Sequence, residues 1–188
     1  MKKLFKTALA TVLVIGAASS ANAENSGKVT FKGSVINDTC DISINGQTGT
    51  DFDITFPASY PGSFVGGVGA EGAAKTFTMD LVGCEPGTLT KVSAAFTGAH
   101  STGAAVLDTT GTAQNVGIKL YSKNGGSRTA VMFDGTTPTT DYATFGNGSS
   151  SSKKNASLKY EAVAIQKGAT AVSVGDYQAT ADYELVYQ

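Results

Sequence analysis

From residue 28 onward the chain alternates apolar and polar positions in short runs, the period-two signature of half-buried strands. The most regular run closes the sequence. In GDYQATADYELVYQ, residues 175–188, every second position after Gly175 is small or apolar: Tyr177, Ala179, Ala181, Tyr183, Leu185 and Tyr187. Asp176, Gln178, Thr180, Asp182 and Glu184 stand between them, and only Val186 breaks the polar row. A second such run lies near the start, where Val29, Phe31, Gly33 and Val35 alternate with Lys28, Thr30, Lys32 and Ser34. Together the patterns predict strands over 28–36, 40–44, 52–56, 75–82, 90–96, 116–121, 129–133, 157–165 and 174–187. Asn45-Gly46, Pro61-Gly62, Pro86-Gly87, Asn124-Gly125-Gly126 and Asn147-Gly148 supply the turns. Residues 66–74 and 146–154, rich in small and polar residues, are expected to be loops. No long stretch keeps a helical period, so the fold expected is an all-β sandwich.

The first 23 residues follow a different pattern. Lys2, Lys3 and Lys6 precede an apolar stretch from Ala8 to about Ala18, and Ala21-Asn22-Ala23 has the small-x-small form of a signal-peptidase site. At roughly a dozen residues the apolar run is short for a bilayer span of about 20. Residues 1–23 are therefore read as a signal peptide, leaving a mature chain of 165 residues (188 − 23) and an exported protein.

Removal of that segment takes three of the 14 basic residues and leaves 11 against 15 acidic, a net charge of −4. This balance argues against an electrostatic nucleic-acid binder, and no Lys/Arg run suits an anionic membrane. Two cysteines, Cys40 and Cys84, remain in a chain bound for an oxidising compartment, which favours a disulfide. The competing reading is a metal site, but two distant cysteines and the lone His100 lack the paired spacing of zinc ligands.

Candidate catalytic groups are few. His100 sits among small residues in TGAHSTGA without a nucleophile-elbow motif. Asp51 and Asp53 share one strand face and resemble a carboxylate pair, yet they flank Phe52 and precede Ile54 and Phe56, as on an ordinary solvated face. Three N-x-S/T sequons begin at Asn37, Asn147 and Asn155, a pattern short enough to arise by chance. The residues alone point to no active site, cofactor or metal. They leave two readings of 28–36: an ordinary first strand, or a strand made for another molecule.

Several stretches carry a resemblance to a known family. FKGSVINDTC (31–40), FTMDLVGC (77–84), Phe96-Thr97-Gly98 and NVGIKL (115–120) occur in order with the signal peptide and both cysteines. Gly175 is fourteenth from the end and Tyr187 penultimate, with alternating apolar residues between. In these features the chain resembles chaperone–usher pathway pilins of the type 1 fimbrial major-subunit family. The resemblance implies an incomplete immunoglobulin-like sandwich lacking its last strand, with a groove beside the C-terminal strand. It implies that residues 24–36 are a donor-strand extension and 37–188 the pilin domain, and that Gly175 to Tyr187 form the β-zipper motif. Val29, Phe31 and Val35 would fill pockets of a neighbour, at roughly 1.5–3 kcal/mol each, and Gly33 would face a shallow one. The implied partners are a periplasmic chaperone, an outer-membrane usher, and identical or related subunits in a helical homopolymer on the cell surface. The implied function is structural, without enzymatic activity. The alternatives are a minor adaptor or tip pilin with a direct receptor-binding role, and, more remotely, a secreted hydrolase. A two-domain tip adhesin does not fit into 165 mature residues.

Overall fold

A computed structural model of the chain describes residues 28–33, 35, 40–150 and 152–188. The predicted signal peptide and residues 24–27, 34 and 36 lie outside the described residues. The chain divides between Ser34 and Val35 into two units, and the fold described next is that of the second.

Among the described residues thirteen strands follow one another: β1 (Asp41–Ile44), β2 (Gln47–Thr48), β3 (Glu71–Cys84), β4 (Lys91–Gly98), β5 (Leu107–Asp108), β6 (Thr110–Gly111), β7 (Val116–Ser122), β8 (Thr129–Ala130), β9 (Ala143–Thr144), β10 (Gly146–Asn147), β11 (Lys154–Gln166), β12 (Tyr177–Gln178) and β13 (Ala181–Tyr187). The main sheet runs β2-β1-β3-β11-β7-β5, with β10 also on β11 and β8 on β7. A second sheet has the order β13-β4-β9, and β12 pairs with β6 alone. Every pairing is antiparallel. The all-β sandwich expected from the alternation is the fold observed.

The two sheets bury their facing rows together. Phe77, Met79 and Leu81 of β3, with Leu158, Tyr160 and Ala162 of β11, meet Val92, Ala94 and Phe96 of β4 in one core. Tyr160 sits at the junction, stacked on Phe77 at 5.4 Å and edge-on to Phe96 at 5.3 Å. Such aromatic geometry adds to the area it buries.

Several local features depart from the predicted strands, and at both ends of β3 the reason is physical. Strand β3 starts at Glu71, inside a predicted loop, because Gly72 lets the Phe64 ring lie where a Cβ would be 2.5 Å from it. At its other end β3 continues to Cys84 through a register shift opposite Lys154–Ala156. Gly83, with φ +69°, takes up that bulge and donates its N–H to Asn155 Oδ1 at 3.0 Å. The extra residue turns Cys84 inward although Leu81, three positions earlier, also points inward. Finally, the predicted strand 174–187 is broken into β12 and β13, and 129–133 shortens to the two residues of β8. Part of the loop expected over 146–154 is paired as β10 with the start of β11.

The predicted strand 52–56 is the most informative departure. Phe52, Ile54 and Phe56 are half-buried and Asp51, Asp53 and Thr55 exposed, so the side chains alternate as expected. The backbone, however, joins no ladder among the described residues. Lys28–Gly33, also predicted as strand, is likewise unpaired.

Candidate strand-acceptor edge

Among the described residues strand β13 is paired on one side only. It pairs along its whole length with β4, from Ala181↔Gly98 to Tyr187↔Val92, and ends its sheet on the other side. Its inward residues Ala181, Tyr183, Leu185 and Tyr187 stay half-buried, whereas Val92, Ala94 and Phe96 beside them are buried. Among the described residues the other edge of β13 from Ala181 to Val186 meets no strand, which leaves a row of backbone donors and acceptors open to pairing.

Opposite that edge runs the 50–56 segment, linked to the C-terminal strands through side chains. Tyr183 Oη donates to the Thr50 carbonyl at 3.3 Å. The Phe56 and Tyr177 rings lie 5.9 Å apart. Earlier in the same stretch, Tyr187 Oη donates to Cys40 Sγ at 3.2 Å, the disulfide sulfur having no proton to give. As the first partner ascends from 40 through 50 to 56, the second descends from 187 through 183 to 177, so the segment lies antiparallel to β13. Two apolar rows thus face each other, with no backbone hydrogen bond between residues 50–56 and β13 among the described residues.

Both ends of the furrow are fixed. At one, Cys40 and Cys84 are bonded and the Tyr187 ring stacks on Phe145 at 6.0 Å. At the other, a cavity of about 140 Å³ is lined by Tyr60, Phe64, Val116, Val172, Val174 and Tyr177. Gly175 makes the approach to that end feasible. Its φ is +144°, and a Cβ there would strike the Ala113 backbone nitrogen and lie 2.6 Å from Thr112 Oγ1. Across the β12–β6 pair, a Cβ on Gly111 would strike the Asp176 carbonyl. The Asp176 carbonyl in turn accepts the N–H groups of Thr112 and Ala113 at 2.9 and 3.0 Å.

Burial raises the pKa of the Tyr177 and Tyr183 hydroxyls, with the nearby Asp51 charge adding to the effect on Tyr183. These hydroxyls stay neutral hydrogen-bonding groups at physiological pH. Ala179 completes the inward row as a partly buried residue. All seven predicted zipper positions therefore lie on β12, β13 or their connections, and six of them pack against the core.

The other predicted site residues are placed as follows. Val29 and Phe31 are 76% and 91% exposed, Val35 is fully exposed, and Gly33 has no atom within 4 Å of a Cβ built on it. Asp51 and Asp53 are exposed on the solvent face, and His100 is exposed in its loop. Among the described residues no three His, Cys, Asp or Glu side chains are grouped to hold a metal ion, and no helix is long and apolar enough to cross a membrane. Phe52, Ile54 and Phe56 were legible as an alternating row, but nothing in their spacing marks them as the facing wall of a furrow. Phe64 and Val172, far apart in sequence, carry no signal that they share a cavity.

Comparison with known proteins agrees with this geometry. The family profile described as "Fimbrial protein" matches residues 29–188. Fimbria A protein of Serratia marcescens is 32% identical over 190 residues, covering 99% of each chain. Among solved structures, a subunit of a chaperone–usher pilus studied for rod uncoiling is 28% identical, with a TM-score of 0.59 over 88% of this chain and 97% of that one. The P pilus rod subunit PapA is 27% identical, with a TM-score of 0.58 over 79% of this chain and 99% of that one. The chain belongs to the fimbrial protein family and is a structural subunit of a surface fimbria.

Proposed function

We propose that this subunit polymerises by donor-strand exchange, residues 24–36 of one copy lying in the furrow between β13 and the 50–56 segment of the next. The observation that carries the reading is the pair of half-buried apolar rows, bridged by side chains with no backbone pairing among the described residues. A strand between them would pair both facing backbone edges and complete the core, which is β-strand addition to an exposed sheet edge. Val29, Phe31 and Val35, exposed and alternating, have the pattern such a strand needs. Their burial would contribute roughly 1.5–3 kcal/mol each.

Before assembly the same edge would be covered by a periplasmic chaperone, and the exchange would take place at an outer-membrane usher. An uncovered edge beside an apolar row invites aggregation. On this reading residues 37–188 form the pilin domain and the protein catalyses no reaction. Similarity to a rod subunit favours a role in the fimbrial shaft over an adaptor at the tip.

Deletion of residues 24–35 tests the proposal. The truncated subunit should still co-purify with its chaperone, while electron microscopy should find no fibres. Normal fibres from the truncated chain would show that Val29, Phe31 and Val35 are not donor residues.

A further inference from the structure

The edge proposed to accept a strand carries a charge pattern of its own. On the 50–56 side Asp51 and Asp53 face solvent, alternating with half-buried Phe52 and Ile54. On β13 Asp182 and Glu184 face solvent between half-buried Ala181, Tyr183 and Leu185. The two acidic rows lie level with each other, because Tyr183, between Asp182 and Glu184, bonds the carbonyl of Thr50, next to Asp51. None of the ion pairs among the described residues uses any of the four carboxylates. Arg128 and Lys123 serve Glu71 and Glu161, and Lys167 serves Asp108. Lys91 lies over the Tyr142 ring. Both walls of the furrow are thus acidic on their outer side, and like charges on neighbouring strands repel.

The occupant has the opposite charge at matching positions. In a strand with Val29, Phe31 and Val35 turned inward, Lys28 and Lys32 must point outward, since side chains alternate. Four residues of extended strand put them about 13 Å apart, on the outer face that the acidic rows flank. They take part in no ion pair among the described residues either.

We infer that the furrow selects the 24–36 segment of a second copy of this chain by charge on its outer face, Lys28 and Lys32 lying between Asp51 and Asp53 on one side and Asp182 and Glu184 on the other. The inference rests on the donor-strand reading and adds a source of specificity to it. Apolar alternation alone admits any strand of similar pattern, whereas the outer charges favour a basic strand and disfavour an acidic one. The effect falls chiefly on the rate of encounter and is sensitive to salt.

The experiment uses the full chain purified with its chaperone and synthetic peptides of residues 24–36. Uptake of three peptides is timed: the native sequence, K28E/K32E, and V29T/F31T. At low salt, where the screening length is about 30 Å, the K28E/K32E peptide should enter about tenfold more slowly than the native one. At about 1 M salt, with screening cut to about 3 Å, the two should converge. A D182K/E184K subunit, whose two new lysines are balanced by Asp51 and Asp53, should lose the preference at low salt. If that variant fails to fold, the salt dependence with the native subunit still decides. Equal rates at low salt, or a gap that persists at high salt, would overturn the charge inference. Slow entry of V29T/F31T alongside either result would leave the donor-strand reading standing. Failure of the native peptide to enter at all would overturn both.

Discussion

The hydroxyl of Tyr187 donates a hydrogen bond to Sγ of Cys40 across 147 residues of sequence, at 3.2 Å. Cys40 is bonded to Cys84 at the inward-turned end of β3, so this bond ties the end of β13 to the main sheet. This link sets the height at which the 40–56 stretch begins its course along β13. Everything farther along the furrow, including Tyr183 against Thr50 and Phe56 against Tyr177, inherits that register.

Tyr187→Phe should keep the ring stacked on Phe145 and lose only the hydroxyl's bonds. The expected cost is about 0.5–1.5 kcal/mol, measured as a lower urea midpoint for the purified subunit. Cys40→Ser should cost more, since the 44-residue separation it opens corresponds to about 4 kcal/mol in the chain-entropy account. A Tyr187→Phe loss as large as that of Cys40→Ser would contradict the division of labour described here.

Gly175→Ala should be among the more damaging single substitutions in the domain. Positive φ and the collision with Ala113 both oppose a side chain, and together they should cost about 2–4 kcal/mol. Gly126→Ala is the control, with φ +85° but nothing within 4 Å of the added carbon. That change should cost only about 1 kcal/mol, the conformational part alone. Equal unfolding midpoints for the two variants would refute the close-approach argument.

Alkaline pH should weaken the fold through its buried tyrosines. Burial, assisted by Asp141, holds the Tyr160 hydroxyl far above its ordinary value of 10.0. Because the folded pKa is raised, the unfolded chain releases its proton first. The stabilisation is therefore complete below about pH 10 and is lost as the pH climbs above it. Tyr160→Phe should flatten this alkaline decline, while Tyr177 and Tyr183, shifted in the same direction, retain part of it. The check is the slope of stability against pH between about 9.5 and 11, and an unchanged slope in the variant would contradict it.

Gly33→Leu separates assembly from folding. Gly33 has nothing within 4 Å of an added Cβ, so the subunit carrying the change should fold and co-purify with its chaperone as before. If Gly33 faces a shallow pocket in a neighbour, overpacking there should cost roughly 1–3 kcal/mol or more. Fibres should then be lost. Normal fibre length would remove Gly33 from the donor strand, and loss of the chaperone complex would place it in the subunit's own core.

Period-two alternation made most of the sandwich legible, because it reports which face of an extended segment is buried. Tyr177, Ala179, Ala181, Tyr183, Leu185 and Tyr187 were readable as an inward row for that reason. Alternation does not report whether the backbone is paired. Phe52, Ile54 and Phe56 alternate as well as any ladder strand, yet their hydrogen-bonding edges meet no strand among the described residues. The start of β3 was hidden for the opposite reason. Glu71-Gly72-Ala73-Ala74 has little strand propensity, and its pairing depends on Ile165 and Val163 across the sheet and on Phe64 over Gly72. The bulge at Gly83 was equally silent, since a glycine in a strand gives no sign of which cysteine it will turn inward.

The most direct measurement is amide hydrogen exchange on the full chain with its chaperone, before and after a synthetic 24–36 peptide displaces that chaperone. Donor-strand exchange predicts that the outward amides of β13 and those of residues 51–56 remain protected once the peptide has replaced the chaperone. With the chaperone removed and no peptide added, protection should be lost in those two segments first. Protection that depends on the peptide at some other edge, or a furrow whose amides exchange equally fast with and without it, would contradict the account.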